Sequence, residues 1–190
     1  MNDPFVFVHH AGRTLALARA QERTCSVFGG PAEIEVDGPP LPEPLHFIAL
    51  LHHNEVLLLG APRQLWEIPL FYGMRYSGCR LLYTFERDRV RIEELLPQEA
   101  SADWPYRGYP QLLPYYPLAV SHVDAEDWGR FRRRAPNLPE EQPAECVVLV
   151  PPPVGLGFTL WGRSGDAEGA TLVFECNLST KSVVAYNVCG

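Results

Sequence analysis

The stretch Arg80-Leu81-Leu82-Tyr83-Thr84-Phe85-Glu86-Arg87-Asp88-Arg89-Val90-Arg91-Ile92-Glu93-Glu94-Leu95 decides the fold class. Its first half is rich in aromatic and aliphatic residues. Its second half alternates Val90 and Ile92 with Arg89, Arg91 and Glu93, the period of two of a half-buried strand. Arg87-Asp88 between them supplies polar turn residues, so the stretch reads as a β-hairpin. A second hairpin is expected from Thr171 to Cys189. Leu81, Leu82 and Tyr83 superpose on Leu172, Val173 and Phe174, the hint of a two-fold internal duplication.

Outward from the hairpins, 19 prolines punctuate the chain. Each removes a backbone donor, leaving little room for long helices or uninterrupted central strands. Phe5 to His9 reads as an opening strand, Ile34 to Val36 as a brief edge strand and Leu45 to Leu51 as a buried one. Leu70 to Tyr76, Leu118 to Val123 and Cys146 to Val150 also read as strands. Gly29-Gly30-Pro31 forces a turn. The Ala and Leu content of Arg13 to Glu22 predicts one short helix. Asn54 to Pro62 is a short helix or another strand, and Asp124 opens a helical turn reaching Phe131. The polar stretch 132–143 is expected as an exposed linker. The fold class expected is α+β, mainly antiparallel β, in a single domain over residues 1–190.

Hydrophobic residues make up 46 % and charged residues 21 %, a globular composition. The formal charge of -7 argues against nucleic-acid binding, which needs clustered basic residues, and suits a basic protein partner. Lys181 is the only lysine among 16 basic residues, a bias that fits a GC-rich bacterial genome. The N-terminus has no basic region before an apolar one, and no apolar run reaches membrane-spanning length, so a cytoplasmic protein without membrane attachment is expected. Five scattered cysteines, none in a Cys-x-x-Cys pair, suit reduced thiols.

No cofactor or metal signature is legible. Gly155-Leu156-Gly157 lacks the third glycine of a dinucleotide loop, and neither Gly-x-Ser-x-Gly nor His-Glu-x-x-His occurs. Cys25, Cys79 and Cys176 would serve as nucleophiles only beside a histidine in space. His46 and His52 share strand parity, and with His122 or Glu55 they are the conceivable metal ligands, without recognised spacing. Arg130 to Arg134, followed by Glu140-Glu141, reads as a solvated face. Catalytic residues are therefore not assigned, and the balance leans away from an enzyme.

The order Phe28-Gly29-Gly30-Pro31, Leu41-Pro42-Glu43-Pro44, Leu45-His46-Phe47-Ile48-Ala49-Leu50-Leu51, Ile68-Pro69-Leu70 and Gly78-Cys79-Arg80-Leu81-Leu82-Tyr83-Thr84-Phe85 resembles the YwqG-like family of unknown function. Gly169 to Phe174 matches the pattern that recurs near that family's C-terminus. The resemblance lies mostly in residues 25–118. The family's glutamine in the Pro-Leu-x-Phe strand is missing, with Ala49, Leu50 and Leu51 there instead, and so is its preceding Trp-Pro. The resemblance implies a fold and no catalytic residue, because the family has no established activity.

Between Asp103 and Pro117 stand four prolines and five aromatics. Trp104, Tyr106, Arg107, Tyr109, Tyr115 and Tyr116 are the candidate binding residues, since stiff aromatic segments offer contact area at low entropic cost. The function expected is a protein-binding module, such as a bacterial immunity or accessory protein. The alternative is a small-ligand binder or an enzyme whose site is assembled from dispersed residues.

Overall fold

A computed structural model describes residues 3–60, 67–76, 78–97, 112–152 and 170–188. The strands are β1 (Pro4–His10), β2 (Arg13–Arg19), β3 (Val27–Phe28), β4 (Glu35–Asp37), β5 (His46–His52), β6 (Glu67–Tyr72), β7 (Cys79–Phe85), β8 (Arg89–Pro97), β9 (Tyr116–Ala125), β10 (Cys146–Val150), β11 (Thr171–Asn177) and β12 (Ser182–Val188). Two five-residue helices interrupt them, α1 (His53–Leu57) and α2 (Trp128–Arg132). All twelve strands join one sheet in the order β4-β8-β7-β12-β11-β10-β1-β2-β9-β3-β5-β6. Among the described residues, only β4 and β8 pair in parallel.

The fold is thus all-β, which corrects the α+β expectation. The error lies at Arg13 to Glu22, where the expected helix is the strand β2, paired with β1 on one side and β9 on the other. Residues 14–18 of β2 are all buried, so no polar face remains to mark the strand's alternation. The missed signal is Ala11-Gly12, whose φ of 49° and 71° form the two-residue hairpin turn that joins His10 to Arg13.

Within the described strands, proline keeps to strand ends or to the terminal strand of the sheet. Pro4 begins β1, Pro97 ends β8, Pro117 is second in β9, and Pro69 sits in the terminal strand β6. At the other end, β4 is three exposed residues whose Glu35 and Asp37 both reach Arg89, at 2.9 and 3.4 Å. A short, charged strand leaves little edge for another chain to pair with.

The sheet bends until β6 lies against β7 and β12. There the buried Tyr83 hydroxyl donates to Pro69 O at 2.8 Å and accepts from Phe71 N at 3.2 Å, taking the place of a strand along β6. Tyr72 adds a second link, donating to Asn187 Oδ1 at 2.8 Å and accepting from Cys79 N at 3.0 Å. The main core fills the inside of this bend, with Val6, Val8, Leu15, Leu17, Phe28, Ile48, Leu81, Tyr83, Val148 and Phe174 among its members.

The outer face of β1, β10, β11 and β12 carries a smaller core. Phe7, Val147, Leu149, Val173 and Tyr186 are covered there by Phe131, Ala135 and Leu138. α2 begins at Asp127, whose Oδ1 accepts from Arg130 N at 2.7 Å, three residues later than the cap expected at Asp124. The stretch 132–143 is exposed at most positions but buries Ala135 and Leu138, so it packs on the sheet rather than running free. The two hairpins lie side by side through the β7–β12 pair, in the order β8-β7-β12-β11. Leu81 and Tyr83 face the main core as Leu172 and Phe174 do. Among the described residues, no helix is long and apolar enough to cross a membrane.

Candidate functional site

Ser26 shapes the site. Its side chain is fully buried, its Oγ donates to Glu55 Oε2 at 2.9 Å, and the same Oγ accepts from His52 N at 2.8 Å. Its carbonyl accepts from Leu118 N at 2.9 Å and from Thr24 Oγ1 at 2.7 Å. One residue therefore ties the strand ends of β5 and β9 to α1. Beyond it β3 slots between β5 and β9 for two residues. Gly29 then turns away at φ 62°, where any Cβ would run into Pro114 O and Leu113, so only glycine fits the turn.

This wedge leaves an open cleft of about 970 Å³. Residues 21–25 and 31–34 wall it, Val27, Phe47, Leu50 and Pro117 supply apolar surface, and Tyr115, His52, Glu67 and Arg87 also line it. Glu22, Glu33, Glu67, Arg23 and Arg87 all line it, and none of the five makes a salt bridge among the described residues. Elsewhere the guanidinium groups of Arg75, Arg80, Arg89, Arg91, Arg130 and Arg134 are all paired with carboxylates. The cleft thus gathers charges whose interactions within the chain are left unmade.

Cys25 is exposed and lines the same cleft as His52, the thiol and imidazole neighbourhood that nucleophilic chemistry requires. The ring is not set up as a base. His52 Nδ1 accepts from Asn54 N at 3.4 Å as the cap of α1 and lies 4.0 Å from Glu55 Oε2. An acceptor Nδ1 leaves Nε2 as the donor nitrogen of a neutral ring. That arrangement suits binding better than proton abstraction.

Of the candidate binding residues, Tyr115 lines the cleft and is 49 % exposed, while Tyr116 opens β9 with the Arg19 guanidinium 4.6 Å above its ring. Trp104, Tyr106, Arg107 and Tyr109 lie outside the described residues, as do Gly155-Leu156-Gly157 and Cys189. Sequence reasoning missed Ser26, Glu33 and Glu67 as site residues, because nothing local marks them.

The conceivable metal ligands do not converge. His46 and His52 occupy opposite ends of β5, opposite Tyr72 and Glu67, roughly 20 Å apart at 3.3 Å per residue. His122 is held on β9 by Ser121 Oγ at 3.0 Å and Asp124 at 3.4 Å. His52 and His53 do not point apart as strand neighbours would, since His53 starts α1 and the rings stand 4.3 Å apart. Among the described residues no three His, Cys, Asp or Glu side chains group to hold a metal. Cys79, Cys146 and Cys176 are buried, and burial pushes the Cys79 thiol up despite the hydrogen bond with Tyr72.

The arginine run expected to be a solvated face is mostly engaged. Glu126, its side chain 2 % exposed, receives Arg134 at 2.8 Å and Arg130 at 3.2 Å, and Arg132 Nε donates to Leu138 O at 2.7 Å. Arg134 also lies over the rings of Phe7 and Phe131. These contacts clamp α2 to the outer face.

No family model, curated protein or solved structure matches the chain.

Proposed function

We propose that this chain is a protein-binding module whose cleft takes a basic, partly apolar segment of a partner polypeptide. The observation that carries the reading is the cleft itself, in which apolar surface adjoins three unpaired carboxylates and two unpaired guanidinium groups. An extended peptide presents alternating backbone donors and acceptors with side chains of both kinds, and a surface mixing Tyr115, Phe47 and Leu50 with Glu22, Glu33 and Glu67 complements it. The carboxylate excess in the cleft and the chain's charge of -7 favour a basic segment and speed its approach. A cytoplasmic immunity or accessory role, in which the cleft occupies a basic toxin or effector, fits this chemistry.

Selection of random displayed peptides on the full chain is expected to enrich sequences with Lys or Arg beside aromatic or aliphatic residues. Reversing two cleft charges together, Glu33→Arg and Glu67→Arg, is expected to weaken a selected peptide by roughly ten-fold or more, since the partner then meets like charge. Enrichment of acidic peptides, or unchanged affinity in the double variant, contradicts the reading. The Ser26, Glu55 and His52 group favours a second reading, a small polar ligand bound against His52. It predicts that displayed peptides are not enriched at all.

A further inference from the structure

We infer that Cys146 and Cys176 form an oxidisable cross-strand pair, a site that a peroxide closes into a disulfide. The first residue of β10 and the penultimate residue of β11 stand directly opposite one another in the antiparallel register. Both side chains turn into the main core and are fully buried. Cys176 Sγ reaches Phe174 O at 3.8 Å. Directly opposed residues of an antiparallel pair have Cα atoms about 4.5–5.5 Å apart, inside the span of roughly 4.4–6.8 Å that a disulfide bridges. The link therefore needs no strand to move. The other described thiols lack such a neighbour: Cys79 is engaged with the Tyr72 hydroxyl and the Gly73 backbone, and Cys25 lies exposed at the cleft.

The pair sits at the end of its two strands, under the turn that joins β11 to β12. Leu178, nearly buried, packs in the core there, and Glu145 fixes the turn by accepting from Leu178 N at 2.7 Å and Ser179 N at 3.2 Å. Contact with Cys146 and burial both push the Cys176 thiol well up, so the closed turn protects the pair from oxidant. Opening of this one turn gives access. The sulfur of one cysteine, as thiolate, attacks a peroxide oxygen. An S–O bond forms, the O–O bond breaks, and the departing hydroxide leaves as water, giving a sulfenic acid. The second sulfur then displaces the remaining hydroxyl, which takes up a proton and leaves as a second water. Two thiols lose two electrons and two protons, and one hydrogen peroxide becomes two waters. The bridge ties β10 to β11 across the connection 151–170, constraining the unfolded chain.

Hydrogen peroxide applied to the full chain is expected to remove two titratable thiols and to yield a peptide pair linking Cys146 and Cys176, two hydrogens lighter than the free thiols. The melting temperature is expected to rise by roughly 10 °C and to return on reduction with dithiothreitol. Glu145→Ala is expected to speed closure several-fold by loosening the turn. Oxidation that consumes Cys25 while Cys146 and Cys176 still alkylate after denaturation, or a bridge between any other two cysteines, overturns the inference. A closure rate untouched by Glu145→Ala overturns the route of access.

Discussion

Glu126→Ala is expected to lower the stability of the fold by about 3 kcal/mol, a fall of roughly 6–12 °C in melting temperature. The carboxylate is almost fully enclosed and is the shared acceptor for Arg134 and Arg130, with a further hydrogen bond from Thr14. Arg134 is held between Phe7 and Phe131, so removing its counter-charge leaves a partly desolvated guanidinium against two rings. Arg130 is largely exposed and adds little. Glu126→Gln keeps the shape and part of the hydrogen bonding and is expected to lose only about half as much. Calorimetry of the three proteins checks the order, and equal stability of all three contradicts the clamp.

The same cluster makes the fold sensitive to acid. His9 is buried, bonded to Thr14 Oγ1 at 3.0 Å, and stacked on Phe131 at 4.8 Å. Burial holds its pKa below the usual 6.5 against the pull of the Glu126 and Asp127 charges, and the His10 and Arg134 charges add to the lowering. The unfolded chain then takes up a proton near pH 6.5 that the folded chain refuses, so stability falls as pH drops below 6.5. Burial alone would raise Glu126, but hydrogen bonds from Arg134 and Thr14 and the charges of Arg134 and Arg130 hold it below 4.5. Its contribution is present above pH 4.5 and is lost as pH falls through the folded value. Thermal melts from pH 7.5 to pH 4 are expected to decline from about 6.5 downward, and His9→Gln is expected to flatten the upper part of that decline. A wild-type curve flat over this range contradicts the assignment.

Tyr83→Phe is expected to cost about 2–3 kcal/mol although it removes a single oxygen. That oxygen is the partner of both Pro69 O and Phe71 N on the side of β6 that no strand pairs. Phenylalanine keeps the ring in the core and leaves two buried backbone groups without a partner, the expensive way to lose a hydrogen bond. Urea unfolding measures the cost, and faster amide exchange at Phe71 locates it. An unchanged urea midpoint means that Tyr83 does not close the sheet.

What the sequence reveals follows from where each strand lies. β8 advertises itself because one face is polar, so Val90 and Ile92 alternate with charge. The terminal hairpin and β5 are found by their β-branched and apolar runs and their flanking turns. β2 escapes because burial on both faces erases alternation and leaves a Leu and Ala run that imitates a helix. The sheet's closure was illegible, since it depends on hydroxyls of Tyr72 and Tyr83 reaching backbone and side-chain groups on other strands. The cleft was illegible for the same reason: Ser26 and Glu55 are 29 residues apart, and Glu67 and Tyr115 come from still more distant segments. Tyr115 and Pro117 connect the cleft to the aromatic segment that composition singled out.

The cleft is the proposed site of partner binding. Hydrogen–deuterium exchange of the full chain, with and without a selected basic peptide, tests it most directly. Protection is expected to concentrate in residues 21–34, 47–52 and 115–117 and to be absent in the Glu33→Arg, Glu67→Arg variant. Protection confined to the outer face around α2 or to the β11–β12 turn, with the cleft exchanging as in the free chain, would contradict it.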